Sequence, residues 1–338
     1  MYKSRISGLG HFLPPSSVSN QDLSKIMDTS DEWIQERTGI KSRRWVDPNN
    51  ITSSSQMGYE ASLKAIENSG INKSDIDHIL FATISPDHYF PGNGVLVQDL
   101  LGLDTIGATD IRNACSGFIY ALSVANAYLQ TGQYKNILVI GSELQSPVLD
   151  KTTNGRDLSV IFGDGAGAAI ISRSNNNSEI FSTHLHSEGK NALELSMKGP
   201  SAIHWIDKLG PNQMSPETFA PQMNGTLVFK NAVVRFEQVI NEALKKNKMS
   251  STDIDCLIPH QANLRISQFV QKKFGLQEQA RSAILSFSAP GTIVLRGHER
   301  HASAPRFDWY RNSLHDIHAF VSMLGANWEG RHAWHGCT

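Results

Sequence analysis

Cys115 is the residue whose surroundings most favour covalent chemistry. It lies in the small-residue segment Ala114–Gly117, between a strand-like stretch at 108–111 and a helical segment that starts near Ser116. The N-terminus of a helix carries the positive end of the helix dipole, which lowers the pKa of a thiol and favours the thiolate. A thiolate attacks thioesters readily. The same pattern also fits a buried structural cysteine, so both interpretations stay open.

His260 is the second candidate for chemistry. It directly follows the apolar stretch Cys256–Pro259, and strand ends are where α/β proteins place catalytic groups. A lone histidine is more often a structural residue. A Cys–His pair assembled from two parts of the chain would reverse that preference.

Two other motifs resemble ligand sites, but a structural interpretation is favoured for each. Phe162–Gly167 is glycine-rich, yet it lacks the spacing of a dinucleotide fingerprint and precedes an apolar strand, so we predict a tight β-turn. We expect His184 and His186 to lie on one face of a strand. Without a neighbouring cysteine or carboxylate cluster they would make a poor metal site, and we predict no metal.

Strands and helices alternate along the chain and would position these residues. Helical spacing predicts a helix over 116–130, on the basis of Phe118, Leu122, Ala125 and Leu129. Short apolar runs predict buried strands at Ile79–Ala82, Ile137–Ile140, Ser159–Phe162 and Ala168–Ile171. The pattern predicts an α/β fold.

An internal repeat indicates two similar halves. Ala65–Leu80 is echoed by Ala243–Ile258, and each segment reads as a helix, a polar link ending in Asp-Ile-Asp, and a buried strand. Chance similarity of one helix–strand unit is the alternative. We favour a duplication with halves 1–172 and 173–338, joined by the polar stretch Ser172–Glu179.

Composition narrows the class of protein. Among 338 residues, 31 Lys and Arg balance 32 Asp and Glu, so the net charge is −1. This balance argues against general nucleic-acid binding, and no apolar run approaches the roughly 20 residues of a membrane span. The N-terminus lacks the apolar centre of a signal peptide. The three cysteines, Cys115, Cys256 and Cys337, cannot form a disulfide framework, so we expect a cytoplasmic enzyme.

Four motifs, in the same order along the chain, resemble the 3-oxoacyl-[acyl-carrier-protein] synthase III family, which starts bacterial type II fatty acid biosynthesis. They are Asp28–Ile40, Ala114–Gly117, Phe162–Gly167 and Ile258–Arg265. The resemblance covers about residues 1–279. It implies a thiolase-like fold of two duplicated halves in five αβαβα layers, a homodimer, and no cofactor or metal.

By position, the resemblance implies that Cys115 takes an acyl group from acyl-CoA. His260 would help to decarboxylate malonyl-acyl carrier protein and would stabilise the resulting enolate, because a neutral imidazole can donate a hydrogen bond to the developing negative charge. The enolate would attack the acyl-cysteine and form 3-oxoacyl-acyl carrier protein.

The resemblance also implies which residues bind the substrates. Trp33 would stack on the adenine of CoA, with Arg37 and Arg156 nearby. Asp157 follows Arg156 where the family commonly has glycine, so this corner departs from the pattern. The pantetheine channel would be lined by Thr29, Gly225, Phe229, Ala262 and Asn263. A basic rim for the acidic carrier protein would consist of Lys230, Arg265, Lys272 and Lys273, for which an ordinary solvated helix face is the alternative.

The segment 280–338 departs from the family. The family's third catalytic residue, an asparagine, would fall near Pro290, but no asparagine occurs between Asn263 and Asn312. Six of the 13 histidines and three of the six tryptophans lie between Arg281 and Thr338, which is a change in composition from the preceding chain. A shifted reading frame, a real divergence and a loss of activity are the three explanations.

Two classes of function compete with the synthase. One is a related acyl transferase or a starter-unit condensing enzyme of secondary metabolism, which would share Cys115 and His260. The other is a catalytically impaired homologue that keeps the fold and acts as a binding partner.

Overall fold

Strands and helices alternate along the first half of the chain, as predicted. The computed structural model describes residues 1–50, 52–175, 178–201, 219–254, 256–260, 263–275 and 292–295. Within this part of the chain, no helix is long and apolar enough to span a membrane.

The strands range from two to ten residues in length. They are β1 Lys3–Phe12, β2 Ser17–Ser19, β3 Ser42–Arg44, β4 His78–Ala82, β5 Gly107–Ile111, β6 Asn136–Glu143, β7 Gly165–Ser174, β8 Leu195–Ser196, β9 Gln222–Met223, β10 Cys256–Pro259 and β11 Thr292–Leu295.

The longest described helix has 22 residues and spans Gly225–Lys246. The helices are α1 Asn20–Ser24, α2 Asp31–Thr38, α3 Ser54–Ser69, α4 Asn93–Leu101, α5 Gly117–Thr131, α6 Arg156–Ser159, α7 Gly225–Lys246 and α8 Leu264–Lys273.

The main sheet has five strands in the order β1-β7-β6-β4-β5. Strand β4 is parallel to both β5 and β6, whereas β7 is antiparallel to β6 and to β1. At the carboxyl end of β4, Ala82 pairs with Ile111 on one side and with Gly141 on the other. The segments that follow these three strands therefore leave the sheet at the same edge.

Helices cover both faces of this sheet. On one face, Phe81, Leu138 and Ile170 pack with the buried residues of α3 and α4. On the other, Leu80 and Val139 pack with the buried residues of α5. Because successive residues of a strand point to opposite faces, strands that are buried on both sides read as continuous apolar runs.

Most predicted elements are confirmed, and one strand is wrong. The runs at 79–82, 137–140 and 168–171 lie within β4, β6 and β7, and the helix predicted over 116–130 is α5. The run Ser159–Phe162 is not a strand: it begins at the last residue of α6, and the backbone N–H groups of Ile161 and Phe162 donate to the carbonyl of Leu158. Periodicity does not distinguish a strand from a helical turn in so short an apolar run.

The predicted repeat is present in the structure. The helices α3 and α7 are each followed by a 3₁₀ turn and then by a strand, β4 or β10. Each 3₁₀ turn starts with a reciprocal capping box, formed by Asn72 with Asp75 in the first unit and by Ser250 with Asp253 in the second. The Asp-Ile-Asp signature therefore marks the same local structure twice. The division into halves 1–172 and 173–338 stays a prediction.

Helix α3 lies directly against β1 because two glycines remove the side chains between them. A Cβ atom at Gly8 would meet the carbonyl oxygen of Ala65, and one at Gly10 would meet that of Ala61. Both obstacles are backbone atoms, which cannot move out of the way as the end of a flexible side chain can.

We expect Gly10→Ala to destabilise the protein by about 1–3 kcal/mol or more, because the added methyl group pushes α3 away from the sheet. The matched control is Gly189→Ala, where no atom lies within 4 Å of the added Cβ. The free energy of unfolding of each variant is measured by urea denaturation. Equal stability of the two variants would contradict the close approach.

Candidate active site

Cys115 lies on a sharp turn between β5 and α5. The turn is a 3₁₀ segment, Ala114–Ser116, that leads directly into α5 at Gly117. Ala114 has a φ of 43°, which is in the left-handed region that only glycine adopts without strain. A Cβ at Gly117 would lie 3.0 Å from the Cβ of Ala82, so the turn packs tightly on the end of β4.

The thiol of Cys115 is less acidic than its position at a helix N-terminus predicts. The residue keeps partial solvent exposure, but burial of the thiol and the nearby carboxyl of Glu143 raise its pKa to about 11. The expected ready formation of a thiolate is therefore wrong for the chain without substrate: desolvation and a neighbouring acid outweigh the helix dipole. A reaction at this thiol needs a group that takes up its proton.

His260 supplies an imidazole to the same cavity. It follows the last residue of β10, and both His260 and Cys115 line a cavity of about 830 Å³. That volume lies within the usual range for small-molecule sites. The structure thus brings together a thiol from the turn after β5 and a histidine that follows β10.

The walls of the cavity come mainly from α7 and from the segment before β8. Gly225 and Phe229 from α7, together with Asn263 at the start of α8, are predicted channel residues that line it. Apolar side chains dominate the remaining wall, among them Ile161, Phe162, Leu195, Met223, Val228, Phe236, Val239 and Ile266. An apolar wall with a few polar groups suits an acyl chain and its linker.

His184 and His186 lie on this wall and share one carboxylate. Nδ1 of His184 is 2.9 Å from Oε1 of Glu242, and Nε2 of His186 is 2.6 Å from Oε2. The segment that carries them is irregular, so the expectation of one strand face is wrong. These bonds lower the pKa of Glu242 and tie the segment to α7. Within the described residues, no group of three or more potential ligands could hold a metal.

Sequence reasoning missed Glu143. It is the last residue of β6, it is buried, and its carboxylate accepts hydrogen bonds from the backbone N–H of Ile84 at 3.0 Å and from Oγ of Ser85 at 2.6 Å. Burial raises its pKa to about 7. A charged residue at the end of a buried apolar run was the available signal, and it is the same signal that singled out His260.

The glycine-rich motif Phe162–Gly167 serves the fold: its first three residues are irregular and its last three begin β7. The buried carboxylate of Asp164 accepts hydrogen bonds from the backbone N–H of Val46 at 2.7 Å, of Gln145 at 2.7 Å and of Ser146 at 2.8 Å. It therefore joins the segment after β3 to the segment after β6. The structure agrees that an apolar strand continues the motif, because β7 begins at Gly165. The predicted β-turn is not seen at Phe162–Asp164, which has no regular structure, and a helix rather than a strand precedes it.

Trp33 on α2 carries two guanidinium groups over its ring. The Cζ atoms of Arg37 and Arg156 lie 4.3 Å and 4.5 Å from the ring centroid. Nη1 of Arg156 also donates to the carbonyl of Asp28 at 2.7 Å, and its Nε lies 3.7 Å from the carboxylate of Asp157. An aromatic ring can stack on a nucleotide base, and two guanidinium groups can bind its phosphates.

The tryptophan cluster is connected to the cavity. Nδ2 of Asn263, which lines the cavity, donates to the backbone carbonyl of Arg37 at 2.8 Å. The hydroxyl of Thr29, just before α2, is buried and has no hydrogen-bond partner within the described part of the chain. Of the predicted binding residues, Ala262 lies outside the described residues, as does the position near Pro290.

The predicted basic rim lies on two helices that pack together, α7 and α8. All four side chains are exposed: Lys230 from α7, and Arg265, Lys272 and Lys273 from α8. Lys273 is 3.3 Å from the carboxylate of Glu237, so part of its charge is already balanced. The structure places these cations on one pair of helices beside the cavity wall.

The sequence matches two profiles of one protein family. Residues 109–189 match 3-Oxoacyl-[acyl-carrier-protein (ACP)] synthase III, and residues 244–289 match 3-Oxoacyl-[acyl-carrier-protein (ACP)] synthase III C terminal. Beta-ketoacyl-[acyl-carrier-protein] synthase III of Aliivibrio fischeri is 43% identical over 278 residues, which is 81% of this chain and 81% of that protein.

Solved structures of similar proteins have the same fold. The 3-oxoacyl-[acyl-carrier-protein] synthase III from Aquifex aeolicus is 34% identical, with a TM-score of 0.74 covering 85% of this chain and 87% of that one. The priming beta-ketosynthase of the R1128 polyketide biosynthetic pathway is 31% identical, with a TM-score of 0.71 covering 82% and 80%. These matches confirm the thiolase-like fold, and the chain belongs to the 3-oxoacyl-[acyl-carrier-protein] synthase III family.

Proposed function

We propose that this protein catalyses the decarboxylative condensation of an acyl-CoA starter with malonyl-acyl carrier protein, which initiates type II fatty acid biosynthesis. The observation that carries the proposal is that Cys115 and His260, from different halves, line one apolar cavity. A thiol that accepts an acyl group and a histidine that stabilises an enolate are the two groups such a condensation requires. We propose that it acts as a cytoplasmic homodimer, without a cofactor or metal.

In the first half-reaction, the sulfur of Cys115 attacks the thioester carbonyl of acyl-CoA, and the CoA sulfur leaves. The thiol proton ends on the departing CoA, so acyl-cysteine and free CoA are formed. Because the thiol is protonated near neutral pH, this proton must first pass to a base. We assign that role to His260, one of the histidines that line the same cavity.

In the second half-reaction, malonyl-acyl carrier protein loses carbon dioxide and the resulting enolate attacks the acyl-cysteine. The C–S bond to Cys115 breaks, and the thiol is regenerated by taking up a proton. His260 donates a hydrogen bond to the enolate oxygen. The aromatic and cationic cluster around Trp33 holds the nucleotide of CoA, and the exposed cations of α7 and α8 hold the carrier protein.

We expect labelled acetyl-CoA to transfer its label to Cys115, and Cys115→Ala to abolish the transfer. His260→Ala should slow the labelling of Cys115, because the base for the thiol proton is lost. It should slow carbon–carbon bond formation by a further factor of about 10²–10³, because a donor to the enolate is lost. Peptide mass spectrometry locates the label, and radioactive product measures condensation. His88→Ala, at an exposed position, is the control. Label on Cys115 without any condensation by the unaltered chain would contradict the synthase.

We expect Trp33→Ala to raise the KM for acetyl-CoA by about tenfold, because stacking of a base on an aromatic ring contributes about 1–3 kcal/mol. The kinetics of Cys115 acylation provide the measurement. A truncated acetyl thioester without the nucleotide, such as acetyl-N-acetylcysteamine, is the matched control and should show an unchanged KM. An equal effect on both thioesters would contradict the assignment of Trp33 to the nucleotide.

We expect Arg265→Glu to raise the KM for malonyl-acyl carrier protein several-fold and to leave Cys115 acylation unchanged, because the reversal places a negative charge where an acidic partner docks. Lys64→Glu, an exposed reversal on α3, controls for net charge. The condensation rate is measured against carrier-protein concentration at low and high salt. A similar effect of both reversals would indicate an ordinary solvated helix face.

A starter-unit condensing enzyme of secondary metabolism is the second candidate function. The likeness to the R1128 priming ketosynthase, at 31% identity, favours it. Both candidates share the acylation of Cys115 and differ in the acyl group that is accepted, so competition between acetyl-CoA and longer acyl-CoA primers separates them. In a binding protein without activity, none of these acyl-CoA primers would acylate Cys115.

A further inference from the structure

Glu143 is a buried acid that the proposed mechanism leaves without a role. Only 8% of the residue is exposed. Its donors are all uncharged: the backbone N–H of Ile84 at 3.0 Å, Oγ of Ser85 at 2.6 Å and Nε2 of Gln145 at 3.3 Å, with the hydroxyl of Thr83 at 3.5 Å. Hydrogen bonds from neutral groups only partly offset the desolvation of a carboxylate.

The backbone of the sheet brings Glu143 to the turn that carries Cys115. Ala82 at the end of β4 pairs with Ile111 of β5 and with Gly141 of β6. Cys115 follows Ile111 through the turn that packs on Ala82, and Glu143 follows Gly141 at the end of β6. Both groups therefore leave the same edge of the sheet, on either side of β4.

The other ionisable groups at this edge are engaged elsewhere. Asp164 accepts from the backbone N–H groups of Val46, Gln145 and Ser146. Two more carboxylates bind helix N-termini: Asp87 accepts from Ser54 and Ser55 of α3, and Asp110 accepts from Asn93 and Gly94 of α4. Of the groups named for this edge, the thiol of Cys115 is the ionisable neighbour of Glu143 that takes part in the proposed reaction. His260 faces that thiol's cavity from the second half.

We propose that Glu143 is a positioning residue for the reaction at Cys115. While the carboxyl of Glu143 is ionised, it opposes formation of the Cys115 thiolate, and while that carboxyl is protonated, it permits the thiolate. The inference rests on the proposed role of Cys115 as the nucleophile. Two acids in one desolvated region resist carrying two negative charges at once, so the charge on one is linked to the charge on the other.

The ionisation of both groups agrees with this linkage. Burial brings the pKa of Glu143 to about 7, so both of its forms are populated near neutral pH. The same carboxyl contributes to the raised pKa of Cys115. Glu143 forms no covalent bond and is not the acceptor of the thiol proton, so the balance of the half-reaction is unchanged.

The test is the pH dependence of alkylation of Cys115 by iodoacetamide, since the thiolate is the reactive form. Replacing the acid by a neutral isostere, Glu143→Gln, should lower the apparent pKa of the thiol by about one unit. The alkylation rate should rise about tenfold well above pH 7, where Glu143 of the unaltered chain is ionised, and by less at neutral pH, where part of it is already protonated. The conservative variant Glu143→Asp keeps the charge and should keep the profile of the unaltered chain. The modified Cys115 peptide is quantified by mass spectrometry, because the chain contains two other cysteines.

Identical pH profiles for Glu143→Gln and the unaltered chain would overturn the proposal. If Glu143→Gln does not fold, Ser85→Ala tests the same linkage, because it removes the 2.6 Å hydrogen bond that stabilises the carboxylate. Glu143 should then stay protonated to higher pH, and Cys115 should alkylate faster near neutral pH. Ser24→Ala, at an exposed serine, is the control, and equal rates for these two variants would also overturn the proposal.

Alkylation requires no acyl-CoA, so this test is independent of the proposed function. A chain that cannot be acylated can still show the shift in Glu143→Gln, and that result would count against the synthase activity alone. A chain that is acylated normally but shows no shift would count against the role of Glu143 alone.

Discussion

The pairing of β4 with a parallel strand on each side is the constraint on which the site depends. Parallel pairing makes three chain segments leave the sheet at one edge, and backbone hydrogen bonds set the register without regard to side-chain chemistry. Cys115, Glu143 and Ser85 all follow or end strands at this edge, where Ser85 donates a hydrogen bond to Glu143. Helix α3 packs tightly on β1, a strand of the same sheet, through Gly8 and Gly10.

The parts predictable from sequence are those in which local pattern and tertiary contact agree. The buried strands β4, β6 and β7 are continuous apolar runs because helices cover both faces of the sheet. The repeated Asp-Ile-Asp link was readable because its aspartates cap a 3₁₀ turn locally in both halves. Cys115 is recognisable from its place at the start of a helix, and His260 from its place as a polar residue at the end of an apolar strand.

The parts that sequence did not predict depend on contacts between distant residues. The ionisation of Cys115 is set by burial and by Glu143, which lies 28 positions further along the chain. The carboxylate that binds both His184 and His186 belongs to Glu242, which lies on α7. The run Ser159–Phe162 reads as a strand because its residues are mostly apolar, but they continue the end of α6 as a helical turn. The spacing of four residues does not distinguish these two structures.

The hydrogen bond from Asn263 to the carbonyl of Arg37 joins helices that would serve different substrates at different times. Helix α2 carries the aromatic and cationic cluster suited to a nucleotide, whereas α8 begins at the cavity and carries exposed cations suited to a carrier protein. This bond, together with the packing of the two helices, ties the position of one helix to that of the other. In the proposed assignment, the surfaces that bind the two substrates therefore belong to one connected unit of the fold.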